Sequence, residues 1–218
     1  MGSIFNPDSS LMRGLGRLFD YVVLNMLTIL CSIPIVTLGA SVTAMYDVMG
    51  RMMRDEERGV FGDFFRAFRS NFKKATVIWL ILLVIGALLG FGVYFYVQVE
   101  VTGGSVLQGI AVMLLLLWAM TLSWAFPLQA KFENTVRNTL QNAMIFAIAK
   151  LPRSIVMAVI NALPWFLAVW WTYLFLQISI FWVMIGFSLT AWINLKLLAK
   201  PYRQLIGEED VPAEAAEV

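Results

Sequence analysis

Residues 25–45 read NMLTILCSIPIVTLGASVTAM, and the reading of this stretch decides the fold. It is almost wholly apolar, yet Pro34 and Gly39 interrupt it, and Arg17 and Arg51 stand beyond its two ends. Proline removes a backbone donor and clashes with the preceding turn, so it breaks a helix readily. Glycine permits close approach or an unusual backbone angle. The stretch is therefore either one membrane crossing or a hairpin turning near Ser32-Ile33-Pro34. The basic residues elsewhere in the chain choose between the two.

Working outward, residues 75–97 and 105–126 are each apolar over the roughly 20 residues that a bilayer crossing needs. Residues 154–196 form a third apolar run, too long for one crossing. Trp170, Trp171 and Tyr173 divide it, since amphipathic rings suit the membrane–water interface. Two helices follow, over 153–170 and 173–197. All 16 Lys and Arg residues fall at or beyond the ends of these spans, in four clusters. They are Arg13 and Arg17; Arg51 to Lys74; Lys131 to Arg153; and Lys196, Lys200 and Arg203. Cytoplasmic loops collect Lys and Arg. A single crossing by residues 18–50 would strand the first cluster outside. A hairpin of two short helices, over 15–32 and 36–54, puts every basic residue inside, and a re-entrant loop gives the same sidedness. The expected architecture is an all-α polytopic membrane bundle of about six inserted segments, with both termini cytoplasmic.

Composition agrees. Of 218 residues, 60% are hydrophobic and only 14% charged, and the mean hydropathy is +0.78. Soluble domains carry about 25% charged residues, so this chain cannot clothe a water-facing surface. Histidine is absent and Cys31 is the single cysteine. That inventory excludes a disulfide framework, a thiol-rich metal site and imidazole acid–base chemistry. No glycine-rich phosphate loop or nucleophile–base set is present, so neither an enzyme nor a cofactor is expected. The basic residues hug membrane boundaries, which argues against nucleic acid. The N-terminus lacks the basic start of a signal peptide, so the first apolar run is expected to be retained. Residues 1–203 read as a single membrane domain, and 204–218 as an acidic, disordered tail.

Two cytoplasmic segments are amphipathic. In 61–74, FGDFFRAFRSNFKK, Phe64, Phe65, Phe68 and Phe72 recur at helical spacing while Arg66, Arg69, Lys73 and Lys74 fill the other face. Such a helix lies in the headgroup plane or docks a partner. Residues 131–151 repeat the pattern before Pro152, and an amphipathic helix between two spans is analogous to the coupling helices of ABC permeases. Among polar residues inside the apolar runs, Asn25, Asn161, Gln177 and Asn194 are expected to bond between helices. Asp20 and Asp47 are expected to pair with Arg17 and Arg51.

These residues also carry a resemblance. Asn25 leads an apolar helix into Ser32-x-Pro34-x-Val36-Thr37-x-Gly39, followed by Thr43-Ala44-x-Tyr46 and by Asp63-Phe64, Phe68 and Asn71-Phe72. Leu151-Pro152-Arg153 extends the match more loosely. The chain resembles the YesL-like proteins, small integral membrane proteins of mostly Gram-positive bacteria, a family without established activity. The resemblance implies a place in the bacterial cell membrane. Genes of that family commonly neighbour those for carbohydrate ABC transporters, which implies an accessory subunit partnered with an ABC permease. A small transporter moving a solute itself is the alternative.

Overall fold

The computed structural model describes residues 10–98, 104–132 and 134–206. Among them there is no strand. Eight helices follow in order: α1 Ser10–Ser32, α2 Leu38–Met52, α3 Val60–Gln98, α4 Gly104–Lys131, α5 Val136–Ala149, α6 Leu151–Trp170, α7 Thr172–Phe181 and α8 Phe187–Ile206. A 3₁₀ turn, Ile35–Thr37, links α1 to α2, and a π-helical turn, Trp182–Gly186, joins α7 to α8. Of the tail expected over 204–218, residues 204–206 are the end of α8, while 207–218 and the turn around Glu100 lie outside the described residues. The all-α helical bundle is as expected.

Among the described residues, five helical stretches are long and apolar enough to cross a membrane: Met12–Ser32, Val60–Gln98, Gly104–Lys131, Leu151–Trp170 and Thr172–Ala199. This is a membrane protein. The sixth expected segment, α2, has 15 residues. At 1.5 Å per residue it spans about 22 Å, short of the roughly 30 Å hydrocarbon core. The long apolar run does divide at Trp171, where φ −129° and ψ 58° break the helix.

α1 and α2 form an antiparallel hairpin. Arg17 near the start of α1 donates to Met52 O at the end of α2 (2.8 Å) and pairs with Asp55 just beyond it. Beyond α2 the chain turns through Asp55, at φ 55°, and Gly59, at φ 145°. Asp47 pairs with Arg51 as expected, at 3.2 Å, whereas Arg17 turns to Asp55 in place of Asp20.

α2 is the axis of the bundle. Ten of its residues are buried, from Gly39 to Met52, and it packs on α1, α3, α4 and α8. The core continues through Leu24, Phe64, Ile78, Trp124, Leu128 and Leu198. Burial on α3 stops at Leu82, and on α4 it resumes only at Thr121 after Gly104. Past those points the two helices run side by side with apolar faces outward, including Leu88, Phe91 and Val106. In a bilayer, lipid covers such faces without penalty.

Candidate functional site

The hairpin turn begins where α1 ends at Ser32, which is half-buried. Pro34 is exposed and extended (φ −72°, ψ 113°), and the chain re-enters a helix through Thr37. The last carbonyls of a helix lack intrahelical partners. The Thr37 hydroxyl lies 2.6 Å from Cys31 O and 2.8 Å from Pro34 O, and so satisfies the turn from within. Ser41 donates to Thr37 O at 3.1 Å. Gly39 is buried against α3: a Cβ there would sit 2.5 Å from both Ala75 O and Trp79 Cβ. The Trp79 indole N–H donates to Ile35 O (2.7 Å), fixing the turn beside residues 75–79 of α3.

Asn25 has partners far along the chain. Fully buried on α1, its amide nitrogen donates to Val183 O (2.5 Å) and Trp182 O (3.3 Å), while its oxygen accepts from Ser188 N (2.9 Å). A π turn widens the helix and disturbs its ladder of backbone bonds. Asn25 supplies the displaced groups with partners, and Ser188 returns a bond to Tyr21 O at 3.0 Å. The wide turn closes at Gly186, where a Cβ would meet the Trp182 ring at 2.6 Å.

A second polar line crosses four helices. Asn194 on α8 donates to Tyr46 Oη on α2 (2.8 Å) and Asn161 Oδ1 on α6 (3.0 Å), and Asn161 donates to Ser123 Oγ on α4 (2.9 Å). Asn194 Oδ1 is buried without a partner. Elsewhere Trp124 donates to Ser154 (2.8 Å), and Gln129 links Asn71 (3.3 Å) with Thr139 (2.9 Å). Gln177, expected to join such contacts, is exposed on α7. Gln129, Thr139 and Ser154 are interior residues that the sequence did not single out. Their signal was small: each stands within two residues of a basic one, Lys131, Arg137 or Arg153.

The segment 61–74 differs from its expectation in two ways. It is the opening of α3, one unbroken helix of 39 residues, so it does not lie flat as a separate interfacial helix. No proline or internal break separates it from the span, so the helix runs straight on. Phe64 is fully buried in the bundle's own core and meets neither lipid nor partner. Phe65 and Phe68 pack partly against the same core, while Phe72 is exposed. The rings run as a ladder, with Phe64–Phe68 centroids 6.1 Å apart and Phe68–Phe72 5.5 Å apart. Asp63 is buried, accepting from Arg58 N (2.9 Å) and pairing with Arg66 (2.9 Å). Arg66, Arg69, Lys73 and Lys74 remain on the exposed side.

The second amphipathic segment is also rearranged. Lys131 still belongs to α4, and α5 starts at Val136, capped by the Thr135 hydroxyl accepting from Asn138 N (3.3 Å). Phe146 of α5 stacks on Trp124 at 5.1 Å. Helix α6 then begins with Pro152 in its first turn, where proline costs no hydrogen bond. Among the described residues no group of three His, Cys, Asp or Glu could hold a metal ion.

No curated protein and no solved structure matches the chain. Residues 21–93, from the middle of α1 through the hairpin and most of α3, match the family described as "Protein of unknown function, DUF624". Asn25, the turn at Pro34, Gly39 and the aromatic ladder of α3 all lie inside the matched segment, so over that segment the chain is similar to a family with no assigned activity.

Proposed function

We propose that this protein is a non-enzymatic accessory subunit of the bacterial cell membrane, of the YesL-like kind, working beside an ABC permease for carbohydrate. The observation that carries this reading is the use made of interior polar side chains. Asn25, Ser123, Gln129, Thr139, Ser154, Asn161 and Ser188 are engaged with neighbouring helices. Polar groups in a lipid-embedded bundle used this way hold helices together. A solute pathway would instead leave such groups facing a cavity. The gene-neighbourhood association of the resembling family supports the choice of partner.

The membrane placement follows from α3. Lys74 and Tyr94 are 20 residues apart, about 30 Å, which matches the hydrocarbon thickness between a basic and an aromatic boundary. On that frame the turn at Pro34, level with residues 75–79, enters only the cytoplasmic leaflet. Helices α1 and α2 then make a re-entrant hairpin. Helices α3, α4, α6 and the α7–α8 pair cross, and both termini face the cytoplasm.

Purification of the tagged full-length protein in mild detergent tests the role. Stoichiometric recovery of carbohydrate ABC permease subunits is the expected result. Solute flux by the protein alone in liposomes, with no such recovery, would replace this reading with the transporter.

A further inference from the structure

We propose that the outward face of α3 between Gly62 and Ser70 is a binding site for the phosphate headgroup of an anionic phospholipid. A shallow, open depression of about 550 Å³ lies there on one face of the helix, lined by Gly62, Phe65, Arg66, Arg69 and Ser70. Gly62 is exposed and adds no side chain there: a Cβ at that position would stand in open space. Phe65, tilted against Phe61 at 4.9 Å, forms an apolar wall. Two guanidinium groups stand on the same helix face, three residues apart.

The two arginines are differently prepared. One Arg66 nitrogen is tied to buried Asp63, whose other oxygen is held by Arg58 N. That anchor limits the motion of the guanidinium while leaving its remaining donors outward. A guanidinium carries five N–H donors in a fork that fits phosphate. Arg69 is exposed beside it.

Position selects the source of the phosphate, and here the inference rests on the membrane placement proposed above. Arg69 precedes Ala75, the first residue of the apolar stretch, by six positions, about 9 Å along the helix. Arg66 lies about 14 Å from it. The headgroup layer is roughly 5–7 Å deep, and a long arginine side chain spans the rest. Lys73 and Lys74 stand at the boundary itself and add attraction for an anionic surface. An acidic peptide could use the same cations, but the exposed Phe61 beside the depression suits the glycerol and upper acyl region better.

The test uses full-length protein in a neutral detergent, titrated with dioctanoyl phosphatidylglycerol while the melting temperature is followed. Saturable stabilisation is expected, rising by about 5–10 °C at a hundredfold excess over the dissociation constant. Dioctanoyl phosphatidylcholine and inorganic phosphate should give little. R69Q, and R66Q with it, should abolish the shift, while R13Q, which removes an equal charge elsewhere, should keep it. R69Q alone spares the Asp63 pair, so misfolding cannot imitate the result. No saturable shift in the wild type, or an equal shift in R69Q, overturns the site. Equal stabilisation by inorganic phosphate or by an acidic peptide overturns the lipid assignment. None of these outcomes depends on sidedness, so a failure here is separate from a failure of the topology.

Discussion

Replacing Gly39 by alanine adds one methyl group at the closest approach of α2 to α3. The added carbon would lie 2.5 Å from Ala75 O and Trp79 Cβ, where ordinary contact begins at 3.4 Å. The helices must therefore part by roughly 0.9 Å, the difference of those two distances. Both obstructing atoms belong to the backbone or to the root of a side chain, so neither can swing aside. Overpacking of this sort costs about 1–3 kcal/mol. Separation also stretches the Trp79 bond to Ile35 O, worth about 1 kcal/mol. Alanine's better helix propensity returns at most about 1 kcal/mol, and less in a first turn. The net is about 1–3 kcal/mol, or about 2–12 °C in melting temperature for a chain of this length. Thermal unfolding in detergent, followed by tryptophan fluorescence, measures it. Gly90→Ala is the control, since a Cβ there meets nothing within 4 Å, and it should be neutral or stabilising. If Gly39→Ala melts with Gly90→Ala, the close packing of α2 on α3 is refuted.

Asn25→Leu removes at once the two bonds to the π turn and the one from Ser188 N; a loss of about 1–3 kcal/mol is expected in the same assay. Phe64→Ala, at a fully buried ring, should cost about 3–5 kcal/mol, whereas Phe61→Ala, 63% exposed, should leave stability nearly unchanged; equal effects would mean the ladder faces outward. In a Cys31→Ser background, a membrane-impermeant maleimide applied outside should label a cysteine at Tyr173 but not one at Ile33. External labelling at Ile33 would restore two full crossings.

The sequence made the turn legible because Pro34 and Gly39 punctuate an apolar run, and charge sidedness needs only the positions of Lys and Arg. The break at Trp171 was legible for a similar reason: three interfacial rings stand together. The fate of the Phe ladder was not. An aromatic stripe at helical spacing looks the same whether lipid headgroups or other helices cover it, and only the arrival of α2, α4 and α5 shows that Phe64 belongs to the core. The continuity of α3 was hidden too, because the change from basic amphipathic to wholly apolar at Ala75 marks a change of solvent, and the helix ignores it. The π turn left no trace, since Trp182–Gly186 is an unbroken apolar string. Asn25 stood out as a polar residue in an apolar run, but nothing near it in the chain names a partner more than 150 positions away.

That separation has a consequence for biosynthesis. Asn25 is made in the first helix, and the carbonyls of Trp182 and Val183 follow 157 and 158 residues later. At roughly 5–20 residues per second, translation leaves the amide waiting on the order of 10–30 s. Throughout that time its donors and acceptor stand without their final partners. The hairpin can close early, because Arg17 finds Met52 and Asp55 within 38 residues, but the outer side of α1 stays chemically unfinished. The π turn before the last helix therefore acts as a latch on the first: a chain cut before Val183 keeps the residues of its hairpin and leaves the Asn25 amide bare, a mark by which an incomplete copy differs from a finished one.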